Sequence, residues 1–378
     1  MYESLERYID HLMSQSTPDK PLWNIEAILQ GKKMGWNYID GCMMISLINM
    51  WKQTKDEKYY DFVKNFIDYY VSDNGEILGF KQEDYNLDNI NEGRVLFDLY
   101  ERSGEEKYLK AIETVYKQIE SQPKNSKGSF WHKKIYHDQV WLDGLFMAQI
   151  FYYRYLKLKG EGYEPVFRQF RNVEKYMKDP TTGLYYHGYD ETASMFWANE
   201  KGLSSNFWLR SLGWYISALS DITSYIDFKS PEKQEFAGYL KNAVDSVYRY
   251  MDKEKHMFWQ VVDKGGEKGN YLESSGSALI AYATLKGVNE GILGEEYFEL
   301  GRSVFDGICK EYLVEKEGKL ELNGICLVAG LGPENKPRRD GSYEYYISEP
   351  VVSTDAKGVA PLIMAYVELK KYLSRNSI

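Results

Sequence analysis

Two stretches of this chain repeat one another. Trp51-Lys-Gln-Thr-Lys-Asp-Glu-Lys-Tyr59 returns 49 residues later as Tyr100-Glu-Arg-Ser-Gly-Glu-Glu-Lys-Tyr108, and each reads as a helix end, a short polar turn and a new helix. From Tyr59 the apolar positions run Phe62, Val63, Phe66, Ile67 and Tyr70, one stripe of an amphipathic helix. The same spacing follows Tyr108 (Ala111, Ile112, Val115, Ile119), recurs over 236–247 and 297–308, and begins in part at Leu5 and Tyr163. Between these six one-faced segments lie six that are apolar nearly all round, over 38–51, 90–100, 141–155, 207–222, 277–285 and 359–369. A helix apolar on every face must be surrounded by protein. The alternation therefore predicts an all-α fold, an (α/α)6 toroid or barrel of six inner and six outer helices. Strand signals are scarce, apart from short stretches such as Met257–Val262, and small hairpins are expected in the loops.

A chain of 378 residues is long for one domain. It contains no Pro/Gly/Ser-rich connector, so residues 1–378 are expected to form a single closed domain. Each inner helix returns through an outer one, so all six inner helices must point the same way and their N-termini share one rim. Converging helix N-termini favour an anion such as a carboxylate. The segment from about Lys178 to Asn206 is too long for a plain connector and is expected to be a site loop on that rim.

The formal charge of −9 argues against nucleic acid or an anionic membrane as partner, because both need a basic face. The first residues, MYESLERYIDHLMSQ, read as an amphipathic helix rather than a signal peptide. No stretch has the length and apolarity of a membrane span. Three widely spaced cysteines, Cys42, Cys309 and Cys326, fit neither a disulfide framework nor paired zinc ligands. The expected compartment is the reducing cytoplasm, with no metal and no cofactor, since metal-binding and nucleotide-binding fingerprints are absent. Aromatic residues make up 16% of the chain. Rings stack on sugar faces, but they also fill helix interfaces.

Polar and aromatic residues gather at the starts of the buried segments: Trp36-Asn37-Tyr38, Asp88-Asn89, Trp131-His132-Lys133, Trp141-Leu-Asp143, and Trp208-Leu-Arg210-Ser-Leu-Gly-Trp214. His187 lies on the long loop. Asp143 is the sharpest candidate, because an isolated carboxylate in an apolar helix start is costly unless bonded or protonated, which suits a general acid. The competing reading for Asp143, and more so for Asp88, is a helix N-terminal residue that accepts backbone N–H bonds. His132 and His187 are candidates for sugar or carboxylate contacts, or for structural roles.

Taken in order, several motifs carry a family resemblance: Leu87-Asp-Asn-Ile-Asn-Glu-Gly-Arg94, Phe130-Trp-His-Lys-Lys-Ile-Tyr136, Trp141-Leu-Asp-Gly144, His187-Gly-Tyr-Asp190, Asn206-Phe-Trp-Leu-Arg-Ser-Leu-Gly-Trp214 and Tyr345-Tyr-Ile-Ser-Glu-Pro350. Over nearly its whole length the chain resembles the unsaturated rhamnogalacturonyl hydrolases of glycoside hydrolase family 105, relatives of the unsaturated glucuronyl hydrolases of family 88. The resemblance implies hydration of a C4=C5 vinyl ether in a terminal uronyl ring. Asp143 would protonate C4 and then act as base toward water at C5, with Asp88 as the second carboxylate. It further implies substrate contacts from Trp36, Tyr38, His132, Lys133, Trp141, Met147, His187, Trp208, Arg210 and Trp214, with Arg210 on the uronate carboxylate. The partner implied is a small oligosaccharide with an unsaturated uronyl end, met by a monomer or weak homo-oligomer. His137-Asp138 and Leu209 depart from the family pattern and touch pocket shape. An inverting hydrolase or a sugar epimerase on the same toroid, and a non-catalytic sugar-binding protein, are the rival readings.

Overall fold

The computed structural model describes residues 2–375. In chain order its helices are α1 (Tyr2–Ser14), α2 (Ile25–Leu29), α3 (Tyr38–Thr54), α4 (Glu57–Tyr70), α5 (Arg94–Ser103), α6 (Glu106–Ser121), α7 (Asp143–Lys159), α8 (Glu164–Tyr176), α9 (Leu209–Tyr225), α10 (Pro231–Tyr248), α11 (Ser274–Asn289), α12 (Phe298–Tyr312), α13 (Tyr343–Ile347) and α14 (Ala356–Arg375). The two five-residue helices, α2 and α13, sit in rim connections; the other twelve make the toroid.

Helices α1, α4, α6, α8, α10 and α12 bury one face. In α8 the covered residues are Val166, Phe167, Gln169, Phe170 and Val173, one helical stripe with charged side chains opposite. Helices α3, α5, α7, α9, α11 and α14 are enclosed, and in α11 every residue from Ser274 to Leu285 is buried. The inner helices touch in a closed circle. Helix α3 meets α14, α14 meets α11, α11 meets α9, α9 meets α7, and α7 meets the turn before α5, which packs back on α3. Each inner helix from α3 to α11 also contacts the outer helix that follows it. The last inner helix takes its partner from the other end of the chain: Tyr366 and Lys370 both bond Glu6 of α1, each at 2.7 Å. The toroid of six inner and six outer helices is therefore present, with the six inner N-termini on one rim.

Three local features differ from the sequence expectation. The inner segment expected over 90–100 is a 3₁₀ stretch, Leu87–Gly93, followed by α5. Its backbone lies against α3 so closely that a Cβ on Gly41 would stand 2.7 Å from Glu92 Cα. Met257–Val262 is not a hairpin. It makes only the isolated bridges Trp208↔Val261 and Trp259↔Leu272. A hairpin does form where Leu313–Lys316 pairs antiparallel with Lys319–Leu322. Glu317 and Gly318 join its strands, both at positive φ as a tight two-residue turn requires.

Two further pairs shape the rim. The segment Gln139–Trp141 runs antiparallel to Gly188–Asp190, which fastens the long loop after α8 to the start of α7. Ile325–Cys326 pairs with Val351–Val352 and draws the connection between α12 and α14 over the same end. Among the described residues no helix is long and apolar enough to cross a membrane.

Candidate active site

Asp88 opens the 3₁₀ stretch, yet it is not the cap there. Asn86 performs that task, its side chain accepting the Asp88 N–H at 3.1 Å. The Asp88 carboxylate instead faces Lys133 Nζ at 2.8 Å and His132 Nε2 at 3.2 Å. Burial works to raise its pKa, but the Lys133 ammonium and then His132 outweigh burial and hold the carboxyl well below its usual range. Asp88 is thus kept as a carboxylate, with both oxygens engaged. Lys133 answers in kind: burial lowers its pKa, the neighbouring Asp88 charge raises it, and the net direction is upward. His132 is clamped from behind by Trp141, whose ring stacks on it at 4.6 Å and 14°.

Asp143 begins α7, a helix without a side-chain cap bond. The capping alternative is therefore absent for this aspartate as well. Its Oδ2 faces His187 Nε2 at 3.3 Å. The two atoms are close enough for an ion pair but are not aligned as a hydrogen bond, and neither has another partner. The other imidazole nitrogen, Nδ1, lies 2.8 Å from the hydroxyl of Tyr346 on α13. Histidine, tyrosine and aspartate thus meet from three distant parts of the chain. The expectation of an apolar setting for Asp143 is corrected: its nearest neighbour is a buried imidazole.

Trp208 completes the wall, 4.8 Å from His187 and stacked on Tyr346 at 6.0 Å and 14°. Its indole N–H donates to Gln260, which also donates to the Tyr346 carbonyl. Trp36 turns its indole N–H to the Asn89 carbonyl at 2.8 Å, beside Tyr38 at the start of α3. Trp36, Tyr38, Asp88 and Lys133 line one cavity of about 360 Å³. Met147 sits one turn below Asp143 and Trp214 packs on Phe146; both are almost wholly covered at the floor of the rim.

Arg210 is held by the protein on several sides. It is buried, and its guanidinium donates to Ser275 Oγ at 3.2 Å, to the Cys326 carbonyl and to the Leu327 carbonyl at 3.4 Å. Those bonds hold the 325–331 segment, so the two terminal nitrogens assigned to a uronate carboxylate already have protein partners. Glu273 supports the same corner by accepting from the N–H groups of Ser275, Gly276 and Cys326. Sequence reasoning missed Tyr346, Gln260 and Glu273 as members of the site. Tyr346 lay inside the quoted Tyr345–Pro350 motif, while the other two carried no local signal. Among the described residues no group of three His, Cys, Asp or Glu side chains is arranged to hold a metal ion.

This geometry, two carboxylates each facing a histidine on the rim of an (α/α)6 toroid, coincides with a family match that spans residues 8–373. The chain belongs to Glycosyl Hydrolase Family 88. Within that assignment it is similar to a solved glycoside hydrolase of family 105 from C. acetobutylicum, with 38% identity and a TM-score of 0.89 over 97% of this chain and 98% of that one. It is also 25% identical over 258 residues to the unsaturated rhamnogalacturonyl hydrolase YesR of Bacillus subtilis, covering 66% of this chain and 70% of the relative. The unsaturated glucuronyl hydrolase of Bacillus sp. GL1 shares the fold at a TM-score of 0.69 and 10% identity, over 98% of this chain and 97% of that one. This family member is accordingly an enzyme, a glycoside hydrolase acting on unsaturated uronyl residues.

Proposed function

We propose that the enzyme, acting as one domain, releases a terminal 4,5-unsaturated galacturonyl unit from a rhamnogalacturonan disaccharide, with Asp143 as the proton-transfer group. The observation that supports this division of labour is the contrast between the carboxylates. Asp88 has both oxygens paired and is held ionised, so it suits binding of ring hydroxyls and electrostatic support. Among the described residues no lysine or arginine pairs with Asp143, whose Oδ2 is buried against His187, so its other oxygen, Oδ1, is the one proposed to exchange a proton with a substrate.

In the proposed reaction the Asp143 carboxyl gives its proton to C4 of the C4=C5 double bond. The cation left at C5 is shared with the ring oxygen. Water adds to C5 and returns a proton to the Asp143 carboxylate, forming a hemiketal. The hemiketal opens to a ketone, and the anomeric centre, no longer held in the ring, releases the neighbouring sugar as an alcohol. Water is the only co-reactant and the acid is regenerated. Trp36 and Tyr38 supply ring faces, Trp141 and Trp208 back His132 and His187, Met147 and Trp214 form an apolar floor, and the two histidines orient the two carboxylates. Because three of the five Arg210 N–H donors are already engaged by the protein, the uronate carboxylate is assigned to the field of the converging helix starts. The similarity to YesR supports the galacturonyl choice. The proposed setting is the cytoplasm, where the substrate would be an imported small oligosaccharide.

The test is the ultraviolet absorbance of lyase-generated unsaturated rhamnogalacturonan disaccharide, whose conjugated double bond absorbs until it is hydrated. Wild type should bleach it, and Asp143→Asn should be slower by about 10²–10⁴-fold while still binding. No bleaching by the wild type of any unsaturated uronide would overturn the reading. Equal activity of Asp143→Asn would sink the assignment of the acid.

A further inference from the structure

The cavity lined by Asp88, Lys133, Trp36 and Tyr38 is lined also by Lys32 and Lys33, on the segment between α2 and α3. Its charge balance is unusual for a chain of formal charge −9. The two acids that line it each have a lysine of their own: Asp88 has Lys133 at 2.8 Å, and Glu26 has Lys357 at 3.3 Å. Lys32 and Lys33 are exposed, and neither forms an ion pair with any described residue. The mouth therefore carries a surplus of positive charge that no protein carboxylate neutralises. Gly31, at φ +59, turns the chain out of α2 and sets both lysines on the cavity edge rather than along the helix.

We propose that Lys32 and Lys33 form a binding subsite for a carboxylate on the second sugar of the leaving group. This rests on the reaction proposed above and extends it to longer substrates. Rhamnogalacturonan alternates an anionic galacturonate with a neutral rhamnose. The sugar leaving from the disaccharide is neutral and gives these lysines nothing to hold. A tetrasaccharide with the same unsaturated end carries a galacturonate one sugar farther out, and Lys32 and Lys33 share the cavity of Asp88. Two flexible ammonium groups suit such a ligand, because they follow a mobile carboxylate without demanding one fixed geometry. Trp36 and Tyr38 line the same cavity and offer aromatic rings to the neutral sugar of the leaving group.

The experiment compares KM for the unsaturated disaccharide and tetrasaccharide in wild type and in the double variant K32Q/K33Q. Wild type should bind the tetrasaccharide more tightly. The double variant should raise its KM about fivefold at low salt, in keeping with exposed ion pairs, and leave kcat in place. The KM ratio of the two substrates should return to about one in the variant, and in wild type at roughly 0.5 M salt. A wild-type assay with the methyl-esterified tetrasaccharide removes the charge from the ligand instead, and should match the variant. An unchanged KM ratio in both arms overturns the subsite while leaving the hydrolase reading intact. Failure of wild type to hydrate even the disaccharide overturns the reaction itself, and the subsite with it.

Discussion

His187 accepts or donates a 2.8 Å hydrogen bond at Nδ1 with the Tyr346 hydroxyl, while its Nε2 faces the Asp143 carboxylate at 3.3 Å. The donor role depends on the histidine tautomer. With Tyr346 donating, the ring proton sits on Nε2 and points at Asp143. Burial, followed by the nearby Tyr345 and Asp143, raises the Tyr346 phenol well above its usual pKa, so it stays a neutral hydrogen-bond partner throughout an ordinary assay range. Tyr346→Phe should then lower kcat about tenfold, the worth of one buried hydrogen bond, with KM little changed. Steady-state kinetics on the unsaturated disaccharide check this; a change confined to KM would contradict the positioning role.

Lys133→Met should move the acid limb of the pH profile. Asp88 in the wild type has a depressed pKa, so its ion pair stabilises the fold above the unfolded-state value and is lost only as pH falls through the lower folded value. Lys133 is raised, so its share is complete below its unfolded value and fades as pH rises through the folded one. Both contributions coexist from roughly pH 4 to 10. Without the ammonium, burial acts on Asp88 with only His132 against it, and the carboxyl moves upward. The acid limb of kcat/KM should rise by about one pH unit. An unmoved limb would show that Asp88 ionisation does not govern binding.

At Gly41 the limit is steric. A methyl group there would meet the Glu92 backbone at 2.7 Å, and neither inner element can retreat within a closed ring. Gly41→Ala should cost about 1–3 kcal/mol, read by denaturant unfolding. Because Glu92 follows Asp88 by one turn, activity at low temperature should fall as well.

The Arg210→Lys variant separates two roles for one side chain. Removing the fork leaves the buried Cys326 and Leu327 carbonyls short of donors, a loss of about 1–3 kcal/mol. If holding the 325–331 segment is the main task, thermal stability should drop together with kcat, and KM for substrates with and without a uronate charge should shift equally. A selective loss for the charged substrate would restore Arg210 to the carboxylate.

The alternation of one-faced and enclosed helices, their number and their common direction were legible in the sequence, because periodicity is a local property that burial imposes on each segment separately. So was the gathering of Asp88, His132, Lys133, Trp141 and Asp143 at or before the starts of apolar segments, with His187 on the long loop, since such types are rare there. Their pairings were not legible. His187 and Tyr346 are 159 positions apart, and Arg94 of α5 meets Asp221 of α9 across 127. The break of the second inner helix into a 3₁₀ stretch, the engagement of Arg210 by a distant backbone, and the difference between an Asp88 paired with Lys133 and His132 and an Asp143 that faces His187 alone all depend on which loops converge. Only ring closure, which brings six helix starts and their connections to one rim, decides which polar atom finds a partner and which is left open for a substrate.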